Sequence, residues 1–194
     1  MKKAISFLAI TWISLLLCSC GSKPKYETMD YTFLVNAYKE SDFEALHETL
    51  SDEATKKYFP WMYTSYKEQS MLRLKMRLMS QKFGEHAPCA IEDFWTREYV
   101  GEVDGHFAKD DSKTLEMLII IHPKARGKNY AKAATMEYMK RILKIHPDIE
   151  KFRLEIAESN TSSKAVAKKL DFEFSRYKDE KSREKMEYWE KDAR

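Results

Sequence analysis

Leu115-Glu116-Met117-Leu118-Ile119-Ile120-Ile121 runs directly into His122-Pro123-Lys124-Ala125-Arg126-Gly127-Lys128-Asn129-Tyr130-Ala131. The first stretch is apolar apart from Glu116, the pattern of a central strand covered on both faces. Pro123 closes it, and the apolar periodicity from about Asn129 to Ile145, stopped by Pro147, predicts a helix. The turn between them is sharp and basic, and it delivers the chain into a helix N-terminus. Backbone N–H groups there lack partners and the helix dipole adds partial positive charge, so a diphosphate can be held without dedicated side chains. Gly127 lets the backbone approach an anion closely, and Asn129 can take the positive φ that glycine otherwise supplies. A plain strand-to-helix connection fits the same turn.

Outward from this point the chain reads as mixed α and β. Upstream, Pro88 to Phe94, Tyr99 to Phe107 and Thr114 to Ile121 form three candidate strands of a meander. Before them, Ser65-Tyr66-Lys67-Glu68 is a capping box opening a long helix, with Met71, Leu72, Met76 and Met79 as expected core filler. Ser41-Asp42-Phe43-Glu44 is a second box, starting a helix at Asp42 with Phe43, Leu46 and Leu50 at helical spacing, after a strand over Tyr31 to Ala37. Downstream, Phe152, Leu154 and Ile156 alternate as a strand, and Ser163 to Leu170 is a short helix. Phe172 to Tyr177 and Lys185 to Trp189 close as paired strands, with a frayed tail expected after Trp189.

The 34 basic and 31 acidic residues are interspersed, leaving a formal charge of +3 and no case for nucleic-acid binding. With 194 residues, 43% of them apolar, one compact domain is expected. His47, His86, His106, His122 and His146 show no metal-ligand spacing, so no metal is expected. Residues 1–20 differ in kind: Lys2 and Lys3 precede an apolar run to Cys18, too short for a comfortable membrane span. Leu17-Cys18-Ser19-Cys20 resembles a bacterial lipobox, which makes Cys20 the candidate lipidation site of a 1–20 signal, with 21–28 as tether, 29–190 as domain and 191–194 as tail. An uncleaved anchor or a start at Met29 fits the same residues. Cys89, in an apolar run, is expected to be a buried structural cysteine.

Two blocks resemble a known family. Arg126 to Ala131, with Pro123 before them, is similar to the pyrophosphate loop Arg/Gln-x-x-Gly-x-Gly/Ala of the GNAT superfamily of acyl-CoA N-acyltransferases, with Asn129 in place of the middle glycine. Asn160-Thr161-Ser162-Ser163-Lys164-Ala165-Val166-Ala167-Lys168-Lys169-Leu170-Asp171-Phe172 resembles the family's Asn-x-x-Ser-x-x-Val-x-x-Lys-Leu-Gly-Phe segment, with Asp171 where glycine is usual. The intervening helix and strand also match. Lys39 to Asp52, Tyr58-Phe59-Pro60-Trp61 and Tyr99-Val100-Gly101-Glu102-Val103 are similar to enzymes that acetylate ribosomal-protein N-termini. The resemblance spans about Tyr31 to Tyr177. It implies an α/β (α+β) GNAT fold, a central mixed, mostly antiparallel sheet flanked by helices.

The resemblance further implies acetyl-CoA as co-substrate and direct attack of a primary amine, of a small molecule or a protein N-terminus, on its thioester. Arg126, Gly127, Lys128, Asn129, Tyr130 and Ala131 are then the diphosphate loop, and the backbone of Leu118, Ile119, Ile120 and Ile121 pairs with the pantetheine amides. Glu116 is the candidate general base, or else a strand carboxylate paired with a cation. Ser163 is the candidate donor to the departing thiolate, since Ala167 stands where many relatives carry Tyr, or else a helix N-terminal residue. Asn160 either bonds the pantetheine arm or caps the next helix. Three functions fit: an active N-acetyltransferase, a degenerate relative that binds without turnover, and an envelope protein anchored in the membrane through lipid at Cys20. The signal implies the envelope; a start at Met29 implies the cytoplasm, where acetyl-CoA is made.

Overall fold

A computed structural model describes residues 33–83, 88–178 and 184–194. The signal, the tether, Cys20 and Met29 lie outside them. The described residues all fall within one unit, Tyr31–Arg194. Its strands are β1 (Phe33–Asn36), β2 (Cys89–Asp93), β3 (Tyr99–Phe107), β4 (Thr114–Ile121), β5 (Lys151–Ala157), β6 (Glu173–Tyr177) and β7 (Met186–Asp192). They form one seven-stranded sheet in the order β1-β2-β3-β4-β5-β7-β6. Only β4 and β5 pair in parallel. The expected mixed, mostly antiparallel sheet is therefore present, with the β2–β3–β4 meander at its centre.

Alternation along β4 explains why its apolar run is needed. Leu115 and Met117, with Ile119 and Ile121 beside them, face a core formed with α4 (Tyr130–Ile145) and α5 (Thr161–Lys169). Ile120 and Leu118 face a second core with α1 (Phe43–Leu50) and α3 (Lys67–Phe83). Gly101 of β3 makes the centre possible. A Cβ there would collide with the Ile120 carbonyl oxygen and lie 3.1 Å from Ile121 Cα.

Several local expectations are corrected. A single 3-10 turn, Glu40–Asp42, precedes α1, and the Lys39 N–H bonds Asp42 Oδ2 at 2.8 Å, so the cap lies ahead of the Ser41 box. At α3, Thr64 rather than Ser65 holds the entry, its Oγ1 accepting from the Tyr66 N–H at 3.1 Å. A short helix α2 (Glu53–Tyr58) was not foreseen; Asp52 caps it by accepting from the N–H groups of Ala54 and Thr55 at 2.9 and 3.4 Å. Strand β7 runs on to Asp192, the Ala193 N–H bonds Glu150 O at 2.9 Å and Arg194 bonds Pro147 O at 2.8 Å, so the tail is tied down rather than frayed.

The methionines of α3 are also placed differently. Its inward side carries Ser70, Leu74 and Arg77, while Leu72, Met76 and Met79 are exposed. The inward polar residues are paired: Ser70 Oγ lies 2.9 Å from His47 Nδ1, and Arg77 forms two bonds, of 2.8 and 2.9 Å, to the buried Glu102, which also accepts from the Tyr38 hydroxyl. Cys89 is buried as expected, and burial pushes its thiol pKa up.

Candidate active site

The ladder between the two parallel strands is short. Pairing runs from Thr114↔Lys151 to Met117↔Leu154 and stops, although β4 continues to Ile121 and β5 to Ala157. Beyond that point β5 pairs only with β7, and β4 only with β3. A wedge opens between them. His122 N–H bonds Val100 O across β3 at 2.9 Å, so by alternation Ile119 and Ile121 turn their backbone groups toward the wedge. These are the amides that an extended, amide-bearing chain can complete, as an added strand does.

Both helices that follow the parted strands begin at this opening. After β4 the chain makes a 3-10 turn, Pro123–Ala125, and enters α4. Gly127 has φ +79° and Asn129 φ +67°, and none of the N–H groups from Gly127 to Lys132 has an acceptor among the described residues. The successive free amides and the helix N-terminus make a nest for an anion. Lys128 is exposed and has no acidic partner among the described residues. Asn129 and Asp171, two of the three departures from the family pattern, both sit in left-handed backbone, Asp171 at φ +61°, while the third, Ala167, is a buried residue of α5. Asn and Asp are the residues that tolerate this region best after glycine, so the backbone path is kept.

Side chains around the nest brace it. Arg126 turns back: its Nη2 bonds Asp52 Oδ2 at 2.7 Å and its Nε the Ile121 carbonyl at 3.2 Å. Its guanidinium thus anchors the loop to the start of α2, and Arg126 holds Asp52 below the ordinary carboxylate range, against the opposing effect of burial. Tyr130 is buried, and its hydroxyl donates to Asp93 of β2; burial and that carboxylate push its pKa up to about 12. What Tyr130 and Ala131 offer an anion is therefore backbone N–H. The buried His122 accepts from the Lys124 N–H at Nδ1 (3.3 Å) and places Nε2 3.2 Å from Glu48. Burial lowers its pKa, so the neutral form with hydrogen on Nε2 is favoured. Lys124 joins the same carboxylate at 2.7 Å. None of these braces was foreseen; the Ser51-Asp52-Glu53 cap signature was the one legible clue.

At the second helix, Asn160 is buried, and its Oδ1 accepts the Ser163 N–H at 3.1 Å, so it caps α5. Ser163 lies in the first turn, with its hydroxyl in no hydrogen bond among the described residues. Glu116 sits one residue before the last β4–β5 pair. Its Oε1 is 3.1 Å from Arg153 Nη1 and its Oε2 3.3 Å from His106 Nε2. Arg153 is buried and is also held by Asp110 and Glu190, at 2.8 and 2.7 Å. No group of three metal-ligating side chains occurs among the described residues.

Known proteins share this architecture. Among solved structures, a GNAT-family acetyltransferase from Bacillus anthracis is similar with a TM-score of 0.72 at 19% identity, over 84% of this chain and 95% of that one. An acetyltransferase from Salmonella typhimurium that modifies the N-terminal serine of ribosomal protein L7/L12 gives 0.68 at 17%, over 84% and 95%. Spermidine N-acetyltransferase from Vibrio cholerae, solved with CoA and spermine, gives 0.66 at 15%, over 84% and 96%. At these identities the likeness is one of fold. No curated protein matches the sequence. Residues 33–173, however, match the family described as acetyltransferase (GNAT) domain. That match spans most of the chain and includes the wedge, the nest and both helix starts, and the protein belongs to the GNAT acetyltransferases.

Proposed function

We propose that this acyltransferase moves the acetyl group of acetyl-CoA to a primary amine, on a protein N-terminus or a small molecule, by direct attack. The observation that carries the proposal is the wedge, with a nest of free amides at its mouth. The diphosphate of CoA sits on the amides of Gly127 to Lys132, near Lys128. Pantetheine pairs with Ile119 and Ile121, which delivers the thioester to the apex beside Met117. That the solved spermidine enzyme binds CoA supports the donor, and its amine substrate supports the acceptor class.

In the reaction the amine nitrogen attacks the thioester carbonyl carbon, the C–S bond breaks, and one proton leaves the amine while the thiolate gains one. In this reading Glu116, one residue before the apex, receives that proton through water, and Ser163 is the donor to the thiolate. The left-handed backbone kept at Asn129 and Asp171 favours an active enzyme over a degenerate one. For placement in the cell we retain the lipoprotein-type signal ending at Cys20 as a proposal, with a start at Met29 as its alternative; intact mass of the natural N-terminus separates them.

Isothermal titration with acetyl-CoA and a thiol-release assay over a panel of amines test the function. Binding of acetyl-CoA with thiol release on at least one amine is expected. Absence of binding overturns the reading.

A further inference from the structure

The second apolar face of α3 is the feature the acyl-transfer reading leaves unused. Ser70, Leu74 and Arg77 turn the helix's inward side to the sheet and α1. Leu72, Met76 and Met79, at i, i+4 and i+7, form a stripe on the opposite side, and they are 59, 62 and 61% exposed. A surface helix ordinarily carries polar residues there. Lys75, exposed and without an acidic partner among the described residues, lies along one flank. Along the other, Arg73 donates to the carbonyl of the exposed Trp61 (59%) at 2.8 Å, and Tyr66, just ahead of α3, is also exposed (64%).

We infer that this face docks on an anionic lipid surface. Unbranched and branched aliphatic side chains supply shallow apolar insertion, and Trp and Tyr are the residues that settle at the headgroup level. Lys75 keeps its charged end among anionic headgroups while its stem lies over apolar surface, and Arg73 adds positive charge at the rim from where it holds the Trp61 carbonyl. The charges also decide against a second copy of this chain: a two-fold axis near Met76 brings Lys75 against its own symmetry mate, where like charges oppose pairing. The stripe points away from the sheet, so docking leaves the wedge open. The inference stands apart from any lipid at Cys20.

The test is flotation of the full chain, carrying Cys20→Ala throughout, with vesicles of phosphatidylcholine alone or enriched in phosphatidylglycerol. Because residues 1–32 are common to all samples, the difference between variants reads α3. The chain is expected to float with the phosphatidylglycerol vesicles. Leu72→Gln/Met76→Gln/Met79→Gln should weaken partitioning about tenfold or more, and Lys75→Glu by several-fold. All three positions are exposed, so circular dichroism and acetyl-CoA binding should stay unchanged. Equal flotation of the triple variant overturns the inference, as does failure to float. A concentration-dependent dimer in sedimentation velocity that the triple variant abolishes assigns the stripe to a second copy and overturns it too.

Discussion

Met117 and Leu154 form the last pair of the parallel ladder, and the backbone that the site offers an extended ligand begins two residues beyond Met117, at Ile119. The two strands stay parted because each is committed to its other neighbour, β3 on one side and β7 on the other. Gly101 pairs with Ile121 at the open end and gives β3 its close approach. Gly101→Ala is expected to cost about 1–3 kcal/mol and to weaken acetyl-CoA binding, because the added methyl pushes β4 off β3. Urea unfolding and calorimetric titration check both effects.

Asn129 and Asp171 hold left-handed backbone that glycine adopts without strain. Asn129→Gly and Asp171→Gly should each leave acetyl-CoA affinity within a few-fold and change stability by no more than about 1 kcal/mol. Asn129→Val should weaken binding far more, since a β-branched residue resists that conformation. Thermal unfolding alongside titration separates the two cases; equal binding by Asn129→Val would show that the nest is not the diphosphate site.

Glu116→Gln is expected to lower kcat by about 100-fold or more while acetyl-CoA affinity stays near wild type. Ser163→Ala should lower kcat by about tenfold. A Glu116→Gln enzyme with unchanged kcat would mean that the carboxylate serves only its structural partners, Arg153 and His106.

Arg77 and Glu102 form a buried pair under α3. Arg77→Met leaves a carboxylate buried and uncompensated, which costs about 3–5 kcal/mol. The double variant Arg77→Met/Glu102→Leu should recover much of that loss, a non-additivity that a double-mutant cycle in urea measures directly.

His122 gives a pH dependence of known sign. Burial lowers its pKa from 6.5, so the unfolded chain binds the proton more readily than the folded one. Its contribution to stability is complete above about pH 6.5 and is lost as the pH falls below that toward the folded value. The slope of stability against pH in this window should be shallower in His122→Gln than in wild type.

The sequence was most legible where a pattern is long and sharply bounded. Both ends of β3 and β4 were read correctly, since Tyr99 to Phe107 and the run ending at Ile121 lie between turn residues. Helix α2 was invisible because six residues are too few for periodicity to register. The α3 methionines were misplaced for a different reason. The helix has apolar residues on two sides, and its core side includes Ser70 and Arg77, whose burial depends on His47 and Glu102 far away in sequence. The wedge was expected only from the resemblance, because where two strands part depends on their other partners. The direction of Arg126 was hidden likewise: its partner Asp52 lies 74 residues away.

That Asp52 carboxylate both caps α2, through the Ala54 and Thr55 N–H groups, and receives Arg126 from the nest. One oxygen, Oδ2, therefore answers to two masters. Anything that pulls α2 from its place loosens the grip on Arg126, and anything that fixes the nest steadies α2. Such linkage is reciprocal by thermodynamic necessity. If an acceptor touches α2, each of the two substrates will change the other's affinity by the same factor through a single shared anion.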